Sequence, residues 1–328
     1  MRGVRQMVVV DDRGLVTAPT GSVSGYLRGE SSMMSELAIE TTGLTRAFGN
    51  VLAVDHVNLQ VPEGSVYGYL GRNGAGKTTT IQMLMGMLQP DIGSMRVMGF
   101  DPLREDVAMK RVVSYVPERV HMPEWMTVGH LMGFGKGVHP RWDGKLAEAL
   151  RERLELPAER KLGQLSRGMQ GKAALLSALA SRPRLLILDD PTMGLDALVR
   201  REFMESIVGA LSDTGTTVFF SSHILEDVER VADVIGILHE GKLVVQAPLE
   251  ELKGAVRRVI ATFPEATKVE LPGVLQHSDE GRQQVWVVRN YDVGILQALH
   301  DAGALSAEVE HCSLEDIFVA FVRTGKAA

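Results

Sequence analysis

Hydrophobic and polar residues alternate over residues 37–42 and again over 54–61, with turn residues at Phe48-Gly49-Asn50 and Pro62-Glu63-Gly64. A period of two puts one face of each segment into a core, so both are expected as strands and the folded chain starts with a β-rich subdomain. Val66 to Leu70 is a short apolar strand running into a glycine-rich turn at 71–76. Residues 78–87 then hold neither Gly nor Pro until Gly86, which predicts a helix. Residues from about 119 to 182 are mostly helical in pattern, including 144–156 and 169–181. Two apolar strands follow, 185–188 and 217–220, separated by a helix over 198–211. Strands alternating with helices predict an α/β core with a parallel sheet, here interrupted by a helical insert at about 119–182.

Beyond residue 250 the register changes to short strands at 256–263 and 284–288 and a helix over 293–302 closed by Gly303. A last helix begins at Ser313, with Asp316 three residues on as its capping partner. Leu314, Ile317, Phe318 and Phe321 fall on one face of that helix. A small α+β C-terminal domain, residues 251–328, with a docked terminal helix is therefore expected after a larger α/β unit at 35–250. Residues 1–34, rich in Gly, Ser and Arg and without periodicity, read as a flexible extension. Met33-Met34 offers a second point at which translation can begin.

Composition narrows the function. The chain has 328 residues, more than one core usually serves. Thirty-five Lys and Arg against 41 Asp and Glu give a net charge of −6, which argues against nucleic acid as a partner. The single cysteine, Cys312, excludes an intrachain disulfide and a cysteine-built metal site. No stretch reaches the roughly 18–20 uninterrupted apolar residues a membrane-crossing helix needs.

The chemistry lies in two strand ends. Gly71-Arg72-Asn73-Gly74-Ala75-Gly76-Lys77-Thr78 fits G-x-x-x-x-G-K-[ST] between a strand and a helix. In such a loop the backbone N–H groups and the helix N-terminus surround phosphates, the lysine reaches the β and γ phosphates, and the hydroxyl of Thr78 faces Mg²⁺. Asn73, Gly74, Ala75, Gly76 and Thr79 complete the phosphate-binding set. Asp189 and Asp190 close the strand 185–188. Asp189 is placed to hold Mg²⁺, and Asp190 to polarise an attacking water.

A third segment, Leu165-Ser166-Arg167-Gly168-Met169-Gln170, stands before a helix. With it the chain resembles the ATP-binding subunits of ABC transporters, whose signature is Leu-Ser-Gly-Gly-Gln; Arg167 replaces the first glycine. The resemblance spans about residues 36–250 and implies a P-loop NTPase (RecA-like) core. It assigns adenine stacking to Phe48, nucleotide sensing and a Mg²⁺ or water contact to Glu118, where glutamine is usual, and γ-phosphate contact to His223. Ser166 and Gly168 would face the phosphate loop of a second ATP-binding subunit, with Asp196 in the loop crossing between the two. The implied cofactors are ATP and Mg²⁺. The implied partners are a separate transmembrane permease and that second subunit, homodimeric or heterodimeric, at the cytoplasmic face of the membrane. His139-Pro140-Arg141-Trp142-Asp143 and the segment 313–318 look similar to the bacterial antibiotic and multidrug exporter branch. Asp190 stands where the family usually has glutamate, so slow hydrolysis is expected. Two other readings stay open: a nucleotide-gated regulatory subunit, and a soluble ABC-type ATPase of translation or repair. The latter usually has two cassettes or a coiled-coil insertion.

Overall fold

The computed structural model describes residues 36–193, 195 and 197–324. The expected extension at 1–34 and Asp196 lie outside these. The first half of the chain comprises β1 (Leu37–Phe48), β2 (Val51–Val57), β3 (Gln60–Pro62), β4 (Val66–Leu70), α1 (Lys77–Leu84), β5 (Ile92–Val97), the short α2 (Asp106–Met109), β6 (Val113–Val116), α3 (Val128–Val138) and α4 (Gly144–Arg153). The second runs through α5 (Arg167–Ala180), β7 (Leu185–Leu188), α6 (Ala197–Thr214), β8 (Thr217–Ser222), α7 (Leu225–Val231), β9 (Val234–His239) and β10 (Lys242–Pro248). It ends with α8 (Leu249–Ala255), β11 (Arg257–Thr262), β12 (Val274–Glu280), β13 (Gln283–Val288), α9 (Gly294–Asp301), β14 (Ser306–His311) and α10 (Leu314–Thr324).

Three sheets form. β1 pairs antiparallel with β2, β3 and β5. The segment expected as one strand at 54–61 is two, because Thr41 bridges the break: its hydroxyl donates to the Val57 carbonyl and accepts from the Leu59 N–H, both at 2.8 Å. The central six-stranded sheet runs β10-β9-β4-β8-β7-β6. All its pairs are parallel except β9–β10, the α/β arrangement expected from the sequence. Helices α3, α4 and α5 make up the insert, with Thr127, Asp143 and Ser166 as side-chain N-caps.

The last sheet is antiparallel, β12-β13-β11-β14. Strand alternation divides β13 between two cores. Trp286 and Val288 pack with Val259, Phe263, Ile295 and Leu299. Val287 faces the other way and joins the large core shared by the central sheet and the helical insert. So do Leu314, Ile317, Ala320 and Phe321 of α10, which contacts α7, β10 and β12. Helix α8 spans the expected boundary at residue 251 and buries Leu249 and Leu252 in that same large core.

Candidate functional site

Parallel pairing aligns the carboxyl ends of β4, β8, β7 and β6, and the loops leaving those ends carry 71–76, His223, Asp189–Asp190 and Glu118 respectively. The crevice at such an edge is where open α/β sheets bind ligands. Residues separated by up to 152 positions in sequence, Gly71 and His223, therefore share one edge.

The glycine loop needs its glycines. Gly74 and Gly76 have φ of 81° and 107°, in the left-handed region where L side chains are strained. A Cβ on Gly76 would also collide with the Ala53 carbonyl oxygen. The turn delivers Lys77 inward: only 6% exposed, its ammonium donates to the Gly71 carbonyl at 2.7 Å and sits 3.7 Å from Asp190 Oδ2. Burial lowers the pKa of this ammonium, partly opposed by the charges of Asp190 and Asp189.

Thr78 donates to Asp189 Oδ1 at 3.3 Å, and Ser221 donates to the same oxygen at 2.8 Å. Burial holds the Asp189 carboxyl above its ordinary range, the neighbouring charges of Asp190 and Glu118 add to this, and the two hydroxyls oppose it. Ser221 also accepts from the Asp190 N–H at 2.8 Å, so one buried hydroxyl ties the Asp189 carboxylate to the Asp190 backbone. Asp190 has φ of 44°, a conformation that Asp tolerates better than most residues. His223 Nδ1 lies 2.9 Å and 3.1 Å from its two carboxylate oxygens. Glu118 is about one-third exposed and acts on the cluster through its charge. Burial, with the charges of Asp189 and then Glu118 adding to it, pushes the Tyr115 hydroxyl up to about 12.

The predicted residues divide into three groups. Lys77, Thr78, Asp189, Asp190 and His223 meet directly, with Glu118 beside them. Phe48 stands apart at the β1–β2 turn, 48% exposed, with the Arg46 guanidinium 5.0 Å from its ring centre and Arg46 itself tied to Asp91 at 2.7 Å. Ser166 and Gly168 open α5, and among the described residues no hydrogen bond joins them to 71–79; Ser166 instead caps its own helix at Met169 N. Ser221 is the member that sequence reading missed. Its signal was a hydroxyl ending an apolar strand, meaningful only once that strand is known to neighbour β7.

Magnesium prefers hard oxygen donors, commonly one or two carboxylates together with the ligand's phosphates. Thr78 and Asp189 supply a hydroxyl and a carboxylate in contact, so the residues fit such an ion. No group of three or more His, Cys, Asp or Glu side chains forms an alternative metal cage among the described residues.

The protein family described as ABC transporter matches residues 54–193. A bacitracin transport ATP-binding protein from Bacillus licheniformis is 31% identical over 319 residues, 88% of this chain and 98% of the relative. The chain belongs to the ABC transporter ATP-binding proteins. It is an ATP-hydrolysing subunit of that family. A daunorubicin/doxorubicin resistance ATP-binding protein from Streptomyces peucetius is 35% identical over 67% of this chain and 68% of the relative. Among solved structures, an ATP-binding subunit of an ABC transporter superposes with a TM-score of 0.60 at 24% identity, covering 67% of this chain and 92% of its own. A subunit of a Clostridium perfringens ABC transporter complex gives 0.57 at 23% identity over 66% and 90%. These likenesses confirm the cassette fold expected from the motifs.

Proposed function

We propose that this ABC subunit powers export of antibiotic-like amphiphiles through a separate membrane-spanning permease, acting at the cytoplasmic face together with a second ATP-binding subunit. The names of the relatives, bacitracin transport and daunorubicin/doxorubicin resistance, support the cargo class. No helix among the described residues is long and apolar enough to cross a membrane, which is in keeping with a permease as a separate chain.

In this reading the 71–79 loop binds the triphosphate, Lys77 its β and γ phosphates, and Phe48 the adenine. Thr78 and Asp189 would hold Mg²⁺, with Glu118 nearby; when bound, the ion neutralises phosphate charge. Asp190 orients and deprotonates the attacking water, and His223, steadied by Asp190, donates a hydrogen bond to the γ-phosphate. Ser166, Gly168 and Asp196 would complete the site of the second subunit.

The contact between His223 and Asp190 beside Lys77 carries this assignment. The test is ATP retention by equilibrium dialysis, followed by phosphate release in vesicles with the permease that co-purifies. Retention with drug-stimulated release is expected. No retention at millimolar ATP overturns the phosphate site, and release that ignores every amphiphile offered overturns the cargo class.

A further inference from the structure

A cavity of about 510 Å³ opens beside the glycine loop on its His223 side. Its walls include Gly71, Arg72, Asn73, His223 and Leu225 and, from the far end of the chain, Phe318. Phe318 is therefore a C-terminal side chain that shares a cavity with the phosphate loop and the histidine after β8.

Helix α7 also lies between His223 and the C-terminal helix α10, which it contacts. His223 is held on one side by Asp190, and two residues later the chain enters α7, a helix of only 7 residues. Leu225, Val228 and Val231 of α7 pack in the core that also takes Leu314, Ile317 and Phe321 from α10. The other flank of α7 is pinned by Asp227, which accepts from Thr192 Oγ1 at 2.9 Å and pairs with Arg200 at 3.2 Å. So short a helix has little hydrogen-bonded rigidity of its own, and its position follows its packing partners. Helix α10 starts on its own capping box: Ser313 and Asp316 exchange side-chain-to-backbone hydrogen bonds, each at 3.1 Å.

We infer that Phe318 is a positioning residue for His223, by which the C-terminal unit sets the placement of the histidine beside the phosphate loop. The inference rests on the reading that His223 and Asp190 act on bound ATP. Phe318 touches no reacting atom in this scheme; with Leu225 and His223 it lines the shared cavity, and it packs against the large core that also takes α7. An alanine there removes apolar volume from that wall and frees the turn, and a displacement near 1 Å at a reacting group can cost on the order of 10²-fold in rate.

The experiment compares the full-length chain with Phe318→Ala and Phe318→Leu. For Phe318→Ala, kcat for ATP is expected to fall by about tenfold with KM within about twofold, since positioning rather than ground-state binding is lost. Phe318→Leu, which keeps an apolar filler, restores most of the rate. The imidazole resonance of His223, assigned by its disappearance in His223→Gln, shifts in Phe318→Ala and returns towards its native position in Phe318→Leu. A resonance unmoved by Phe318→Ala overturns the inference, as does an unchanged kcat. A native chain that fails to retain ATP counts instead against the proposed function, and the resonance still decides whether Phe318 places the histidine.

Discussion

His223 Nδ1 sits 2.9 Å from Asp190 Oδ1 and 3.1 Å from Oδ2, so the imidazole spans both oxygens of one carboxylate. Asp190 in turn stands 3.7 Å from the Lys77 ammonium and donates its backbone N–H to the Ser221 hydroxyl. One short carboxylate thus links the loops after β4, β7 and β8. An aspartate suits this because its single methylene keeps the carboxylate close to the backbone.

If Asp190 is the base, Asp190→Asn should lower ATP turnover by at least about 10²-fold, the lower range for general-base catalysis, while ATP retention survives. Asp190→Glu extends the carboxylate towards water and should raise turnover. Phosphate release across the three proteins checks this. An asparagine variant as fast as the native chain, with no gain from glutamate, removes Asp190 from the role.

Lys77 tests the balance between folding and function. Burial disfavours its charged form more than Asp190 and Asp189 favour it, so the ammonium is a cost to the fold. Lys77→Met should unfold at the same or a higher temperature yet bind ATP at least about tenfold more weakly, the loss expected for a charged hydrogen bond. Thermal unfolding and dialysis on one preparation measure both. A large drop in melting temperature contradicts the argument.

Ser221→Ala removes the hydroxyl that donates to the Asp189 carboxylate and leaves the Asp190 N–H without its partner. A loss of about 1–3 kcal/mol is expected for an unsatisfied buried group. Urea unfolding reads the stability, and phosphate release should decline in parallel because Asp189 and Asp190 lose their common anchor. Stability and rate both matching the native chain would show that Ser221 anchors neither aspartate.

Cys312 reports on the C-terminal helix. It is 4% exposed, and burial, with the charge of Asp316, pushes its thiol up to about 11. At pH 8 the thiolate fraction is then on the order of 10²-fold below that of an ordinary cysteine. A thiol reagent should label the native chain correspondingly slowly and the urea-unfolded chain fast. Rapid labelling of the native chain would mean that α10 does not stay docked.

Much of this was legible in the chain itself. The glycine loop declares itself because only glycine accepts the backbone angles at positions 74 and 76, and its lysine and threonine are fixed in sequence by that turn. Asp189 and Asp190 follow from an apolar strand that ends abruptly in charge. The capping pair Ser313 and Asp316 was readable for the same local reason. Strands without alternation were not. β9 is nearly all buried, so no polar face marks its period, and β12 is an edge of its sheet with mostly exposed side chains.

The sequence alone determined what depends on neighbours along the chain: the loop that can cradle phosphate, the helix caps, the carboxylates at a strand tip and the membership of a family. Tertiary structure decided what depends on strand order. It set Ser221 between two aspartates, joined His223 to Asp190, and carried Phe318 from the last helix to the phosphate loop. Local steric rules are written in adjacent residues. Pairing across a sheet and the sharing of a core are settled by the packing of the whole chain, and no short segment encodes them.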